Sequence, residues 1–450
     1  RRSRRVPPPR APLLVLALLA TPALLALPAP PPRVLPPSEA GPVPAATMAV
    51  AFAAPVEVEP GRHGAEPGID VAPDGCVYVN AIALTAATLW RSCGGAFERL
   101  ARPSLGEQPI GGYDTDLALD ARGTLYYSDL WVVSASIAAS DDRGATWTLT
   151  NPAGLLPPLD DRQWLLPLAP GRVLHVTHEL GTGILASLCV RAPLPAPLDA
   201  MACAPGTLVA LDAPRFCVCP PGHPAADPSG RTILVPMLSA ANELTPGQPT
   251  LITGDILIQA GISRDGGLTW KLKTVARGAG VPAIFPASAI DAAGTLYVTW
   301  AAQRVDGPAR EVWLARSVDG GATWSETQVS EGGTNVLPWI AAREGGRVAL
   351  AWYHADVQDD PEALEGDWTV AYAESRDADA ALPVWDRGAP SEVVHRDDLC
   401  VTGAACLGDR DLLDFLGVAF APDGAAWVAW ADDVADGHDG HAHVWVARQA

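Results

Sequence analysis

Hydrophobic and polar positions alternate along this chain in short runs, and one arrangement recurs. A turn containing glycine is followed by four to six mostly apolar residues of β-forming type. Copies begin at Gly75, Gly123, Gly171, Gly230, Gly294, Gly346 and Gly424, so successive glycines lie 48, 48, 59, 64, 52 and 78 residues apart. The run Cys76 to Val79 follows the first, Thr124 to Tyr127 the second, and Ala425 to Trp430 the last. Long stretches of helical period are missing, so the pattern predicts many short strands joined by turns. Between successive copies there is room for about four strands, and a repeat of about 50 residues with four strands per unit predicts a β-propeller. Seven units predict seven blades, with six as the alternative. The alternating segment Val50 to Val58 precedes the first unit and is expected to complete the last blade, which is one strand short.

A second motif falls late in some units. Ser140 to Trp147, Ser263 to Trp270 and Ser317 to Trp324 all read S-x-D-x-G-x-T-W, each after an apolar run. The chemistry is that of a hairpin turn. The Asp carboxylate accepts N–H bonds inside its own turn, the Gly adopts positive φ, and the Trp returns an apolar ring to the sheet. Degenerate versions occur at Arg91 to Phe97 and at Ser375 to Asp377 with Trp385. The motif is expected between the third and fourth strands of a blade.

Composition narrows the function. The 450 residues carry a formal charge of −20, which argues against nucleic acid and against an anionic membrane surface. Five arginines before Pro12 precede an apolar run from Leu13 to Leu27 and a Pro-rich tract to about Pro44. That order reads as a signal peptide or anchor plus linker over residues 1–48, followed by a single propeller domain over 49–450. A secreted, periplasmic or cell-surface protein is expected, and its eight cysteines fit an oxidising compartment. Cys76 with Cys93, Cys189 with Cys203 and Cys400 with Cys406 are candidate disulfides, although spacing alone does not settle the pairing. Cys217-x-Cys219 remains, with zinc as the alternative, though no C-x-x-C pair or nearby His pattern accompanies it.

The S-x-D-x-G-x-T-W turns resemble the Asp boxes, or BNR repeats, of sialidases and their non-sialidase relatives, over about residue 55 to the end. The resemblance implies a sialidase-like propeller. It implies an activity far less, because the Asp box is a structural turn. Sialidases grip a substrate carboxylate with three arginines, attack with a Tyr paired to a Glu, and use an Asp as acid and base. Their first arginine stands in Arg-Ile-Pro at the start of the first blade. The matching stretch here is Glu66-Pro67-Gly68-Ile69, so exo-sialidase activity is not expected.

In propeller order, ligands meet the starts of the innermost strands and the ends of the second strands, and the Asp boxes lie on the opposite face. Those positions supply Asp114, Asp116, Asp161, Glu179 and Tyr353 as candidate catalytic residues. They also supply Arg162, Trp164, Arg304, His354, Arg410 and Asp411 as candidates for substrate binding. Convergent carboxylates suit glycoside hydrolysis. They could equally hold Ca²⁺, or pair with Arg162 and Arg410 around the channel. No other cofactor and no dedicated metal site is expected. Trp131, Trp164, Trp339 and Trp368 are candidates for stacking on sugar rings or for packing between blades. His438, His441 and His443 sit in a polar loop with some metal-binding character. The expectation is an exported, monomeric, carbohydrate-directed propeller, either a glycosidase-like hydrolase or a glycan-binding protein. The alternative is a non-catalytic propeller that binds a protein partner or serves as a scaffold.

Overall fold

The computed structural model describes residues 48–450 except 84–85, 104–113, 132–133, 150–159, 180–181, 193–199, 212–220, 241–255, 279–284, 402, 404–405, 407–409, 411 and 436–440. Within them the chain forms seven antiparallel sheets, each built on four strands, and no helix longer than a single turn. Blade one comprises Ala65–Val71, Val77–Ala83, Ala86–Ser92 and Glu98–Arg99. The other innermost strands are Thr115–Leu119, Asp160–Ala169, Ala225–Ala226, Ala287–Ile290, Thr334–Ala342 and Gly417–Phe420. Each touches the next and the last touches the first, so they form a closed ring around an axis. Seven blades, not six, is the outcome.

The ring closes as the alternation of Val50 to Val58 predicts. Val56–Glu57 pairs antiparallel with His443–Arg448 and supplies the fourth strand of blade seven. A feature that the pattern does not announce is Ala49–Val50, which runs parallel to Asp386–Gly388 at the edge of blade six. Blade three carries an additional strand, Thr207–Leu211, and blade six another, His395–Arg396.

The S-x-D-x-G-x-T-W turns connect third to fourth strands and share one hydrogen-bond plan. In blade two the Ser140 hydroxyl donates to Asp142 Oδ1 (2.7 Å) and accepts the Gly144 N–H (2.8 Å). Asp142 accepts the Thr146 N–H and hydroxyl at 2.8 and 2.5 Å. Asp265 and Asp319 repeat this in blades four and five. Gly144, Gly267 and Gly321 have φ of 87°, 90° and 85°, a conformation that costs an L side chain free energy. The core lies between blades, where Trp90, Trp300, Trp368, Trp385 and Trp430 are fully buried, and Trp164 is as fully buried on the axis. Burial explains why Trp368 is no stacking surface; its indole N–H donates to the Asp397 carbonyl at 2.8 Å. Disulfides join Cys76 to Cys93, Cys189 to Cys203 and Cys400 to Cys406, whereas Cys217 and Cys219 lie outside the described residues.

Candidate functional site at the axial mouth

The innermost strands of blades one, three and six share a β-bulge near their starts. At each bulge a residue other than glycine has positive φ: Glu66 (51°), Arg162 (46°) and Leu337 (54°). Phe285, just before the innermost strand of blade five, has φ of 64°. Such conformations cost about 1–3 kcal/mol each and persist where the surroundings over-determine them. Here they turn side chains toward the axis, and a charged cluster forms around Arg162. Its Nη1 lies 2.8 Å from Glu66 Oε2 and 3.4 Å from Asp114 Oδ1. The guanidinium carbon sits 4.1 Å from the Trp164 ring centre and 4.5 Å from that of Phe415. Nε and Nη2 make no hydrogen bond, and the aromatic faces are their neighbours. Trp164 in turn packs against His223, Phe285, Trp339 and Phe415, with ring centres 5.1 to 5.8 Å apart, giving the mouth an aromatic floor.

Below that floor a cavity of about 340 Å³ follows the axis, lined by all seven innermost strands from Asp116 and His223 to Arg343 and Phe420. Asp116 stays at its upper end because Oδ2 accepts the Leu165 N–H of the next blade at 2.6 Å. Burial raises its pKa to about 7, against that hydrogen bond and the Arg162 charge. Asp70 accepts the Leu119 N–H in the same way, one blade earlier. Burial likewise pushes Glu66 and Asp414 up, offset by Arg162 for the first and by Arg410 for the second. Arg410 forms a two-pronged ion pair with Asp414. Asp161 is raised by burial and then by the Asp114 charge.

The structure therefore gathers Asp114, Asp116, Asp161, Arg162, Trp164 and Arg410 into one electrostatic neighbourhood, joined by Glu66 and Asp414. The remaining candidates stand elsewhere. Tyr353 is fully buried in blade six, its hydroxyl accepting the Ala431 N–H at 3.1 Å, and burial pushes its pKa up. Arg304 pairs with Asp306 and Glu311 at 2.9 and 3.0 Å. His354 Nδ1 faces Asn335 Oδ1 at 2.8 Å. Glu179 ends the second strand of blade three, opposite Asp160. Asp411 lies outside the described residues, as does His438. Sequence reading singled out Trp164 and Trp339 but missed Phe285, Phe415 and His223, which complete the aromatic floor with them. The signal that could have found two of them is the placing of Phe285 and Phe415, each two residues before an innermost strand. Among the described residues no three His, Cys, Asp or Glu side chains are arranged to hold a metal ion, and no helix is long and apolar enough to cross a membrane.

No family model and no curated protein matches the chain. Solved structures do. The chain is similar to the phage phi92 endosialidase, at 10% identity over 89% of this chain and 69% of that one, with a TM-score of 0.50. Another similar structure is a protein of unknown function from Dyadobacter fermentans, with 14% identity over 89% and 98% of the two chains and a TM-score of 0.47. The GH93 α-L-arabinofuranosidase of Fusarium graminearum shows 11% identity over 88% and 97%, with a TM-score of 0.48. Likeness at this level of identity concerns the fold.

Proposed function

We propose that this propeller is carbohydrate-directed and acts as a glycoside hydrolase at its axial mouth. The observation that carries the reading is the convergence of Asp114 and Asp161 beside Arg162. Glycoside hydrolysis needs one carboxyl group that holds its proton and a second that supplies negative charge. Asp161 suits the first role, because burial and the neighbouring Asp114 charge both raise its proton affinity. Asp114 suits the second, in contact with the Arg162 guanidinium and partly open to solvent. Glu66, Asp414 and Asp116 sit deeper and set the field rather than touch a ligand. The fold shared with an endosialidase supports a carbohydrate, while Glu66 in place of the sialidase arginine argues against its carboxylate grip. Disulfides support an oxidising, extracytoplasmic compartment.

The burial of Glu66 and Arg162, each no more than 3% exposed, favours a second reading in which the mouth binds glycan without turnover. A panel of fluorogenic glycosides separates the two. On the hydrolase reading, Asp114→Asn and Asp161→Asn each lower turnover by about 10²- to 10⁴-fold with the fold retained. Undiminished turnover in both variants would overturn the assignment, and glycan binding with no turnover in the wild type would leave the binding reading.

A further inference from the structure

Arg310 opens the third strand of blade five, Arg310–Ser317, on the same face as the mouth. The residue is only 5% exposed. Its Nη1 donates to Gln303 Oε1 at 3.3 Å, and its buried Nε has no hydrogen-bond partner. The Gln303 amide is held in that sense, since its Nε2 donates to the Gly307 carbonyl. The other buried arginine, Arg162, has a carboxylate partner in Glu66, and the half-buried Arg347 and Arg387 have theirs in Glu374 and Glu331. Arg310 has no such partner within ion-pair reach among the described residues. The charges of Asp360 and Glu362, on the loop after the second strand of blade six, act on it from a distance, and burial outweighs both, lowering its proton affinity. From blade six, Asn335 contributes a neutral contact, donating to the Arg310 carbonyl at 3.4 Å.

A guanidinium buried without a counter-charge is strongly unfavourable, and an anionic ligand group would supply the missing charge. We propose that Arg310 receives a single anionic oxygen group of a ligand, a carboxylate or a sulfate ester, on the mouth face between blades five and six. Guanidinium geometry favours two-pronged contact with such a group. The formal charge of −20 disfavours a polyanion, so the ligand carries one anionic group on an otherwise neutral body. The proposal deepens the carbohydrate reading and rests on it only for the carrier of the anion: an acidic sugar.

Thermal unfolding and calorimetry of the whole protein test this with inorganic sulfate and phosphate against chloride at matched ionic strength. Sulfate stabilises proteins in general by exclusion from their surface, so the readout is the difference between wild type and Arg310→Met. Wild type is expected to gain more Tm from the anions than Arg310→Met, whose own Tm without anion equals or exceeds that of wild type. Equal anion responses, or a large loss of Tm in Arg310→Met with its anion response intact, would overturn the proposal. A uronate-terminated and a singly sulfated oligosaccharide are expected to bind wild type at least about tenfold more tightly than Arg310→Met, with a neutral analogue unaffected. If inorganic anions bind through Arg310 but neither acidic sugar does, the anion site stands and the carbohydrate reading falls.

Discussion

At the scale of single residues, Asp142 and Asp265 do the same work in two blades. Thr146 and Thr269 donate their side-chain hydroxyls and then their N–H groups, holding both carboxyls down at about 2. A carboxyl depressed in the folded state contributes stability that is complete above the ordinary Asp range near pH 4. That contribution is lost as pH falls toward about 2. Urea midpoints should therefore drop between pH 4 and 2. Asp265→Asn should lower the midpoint at neutral pH and flatten the drop; an unchanged acid slope would show that these turns do not control it. The turns were legible because every donor and acceptor in them lies within eight residues. Glu66 and Arg162 were harder to pair, since 96 residues separate them and only the ring brings them together. Their positive φ was not legible at all, because no glycine marks it and the tertiary surroundings impose it.

Among strands and blades, a division of labour emerges. Blades two, four and five fasten the third strand to the fourth with an Asp box, and blade six does so with Ser375 and Asp377, where the hydroxyl donates to the carboxylate at 2.8 Å. The turn of blade one, Ser92 to Phe97, has no such carboxylate, and the corresponding turn of blade three lies outside the described residues. Each of these two blades carries a disulfide, Cys76–Cys93 from the residue before the second strand to the turn after the third, and Cys189–Cys203 across the outer pair of strands. Sequence separations of 17 and 14 residues place each crosslink at about 3 kcal/mol on the chain-entropy account. Replacing both cysteines of one pair by Ala should cost about 2–4 kcal/mol, whereas reduction of the wild type should remove both contributions together with that of Cys400–Cys406. Chemical denaturation with and without reductant measures this, and a double variant as stable as wild type would refute the division. Blade count and strand type were readable from the Gly-turn repeat. The parallel strand Ala49–Val50 was not, for two residues leave no period to detect.

For the molecule as a whole, stability depends on closing the ring, because apart from the contacts across the axis each blade packs on its two neighbours, and an open ring exposes two faces at once. The closing segment does more than fill an edge. Val58 is 3% exposed and joins Val444 and Val446 of blade seven to Val77, Val79 and Trp90 of blade one in a single apolar cluster. Its N–H donates to the Val444 carbonyl at 2.9 Å, and one residue before it Glu57 accepts from His443 Nδ1 at 2.8 Å. Val58→Pro removes the donor, leaves the Val444 carbonyl unpaired and displaces the apolar group from its place in the cluster, and should destabilise by about 1–3 kcal/mol. The location of the damage tests closure more sharply than its size. If the ring is a single cooperative unit held at this seam, hydrogen exchange in the variant should accelerate first along Ala426–Asp432, His443–Arg448 and Val77–Ala83, on either side of the break. Blades three to five, farthest from the seam, should keep their protection until global unfolding. Uniform acceleration around all seven blades would mean that Val58 is an ordinary core residue and that the ring is held shut elsewhere.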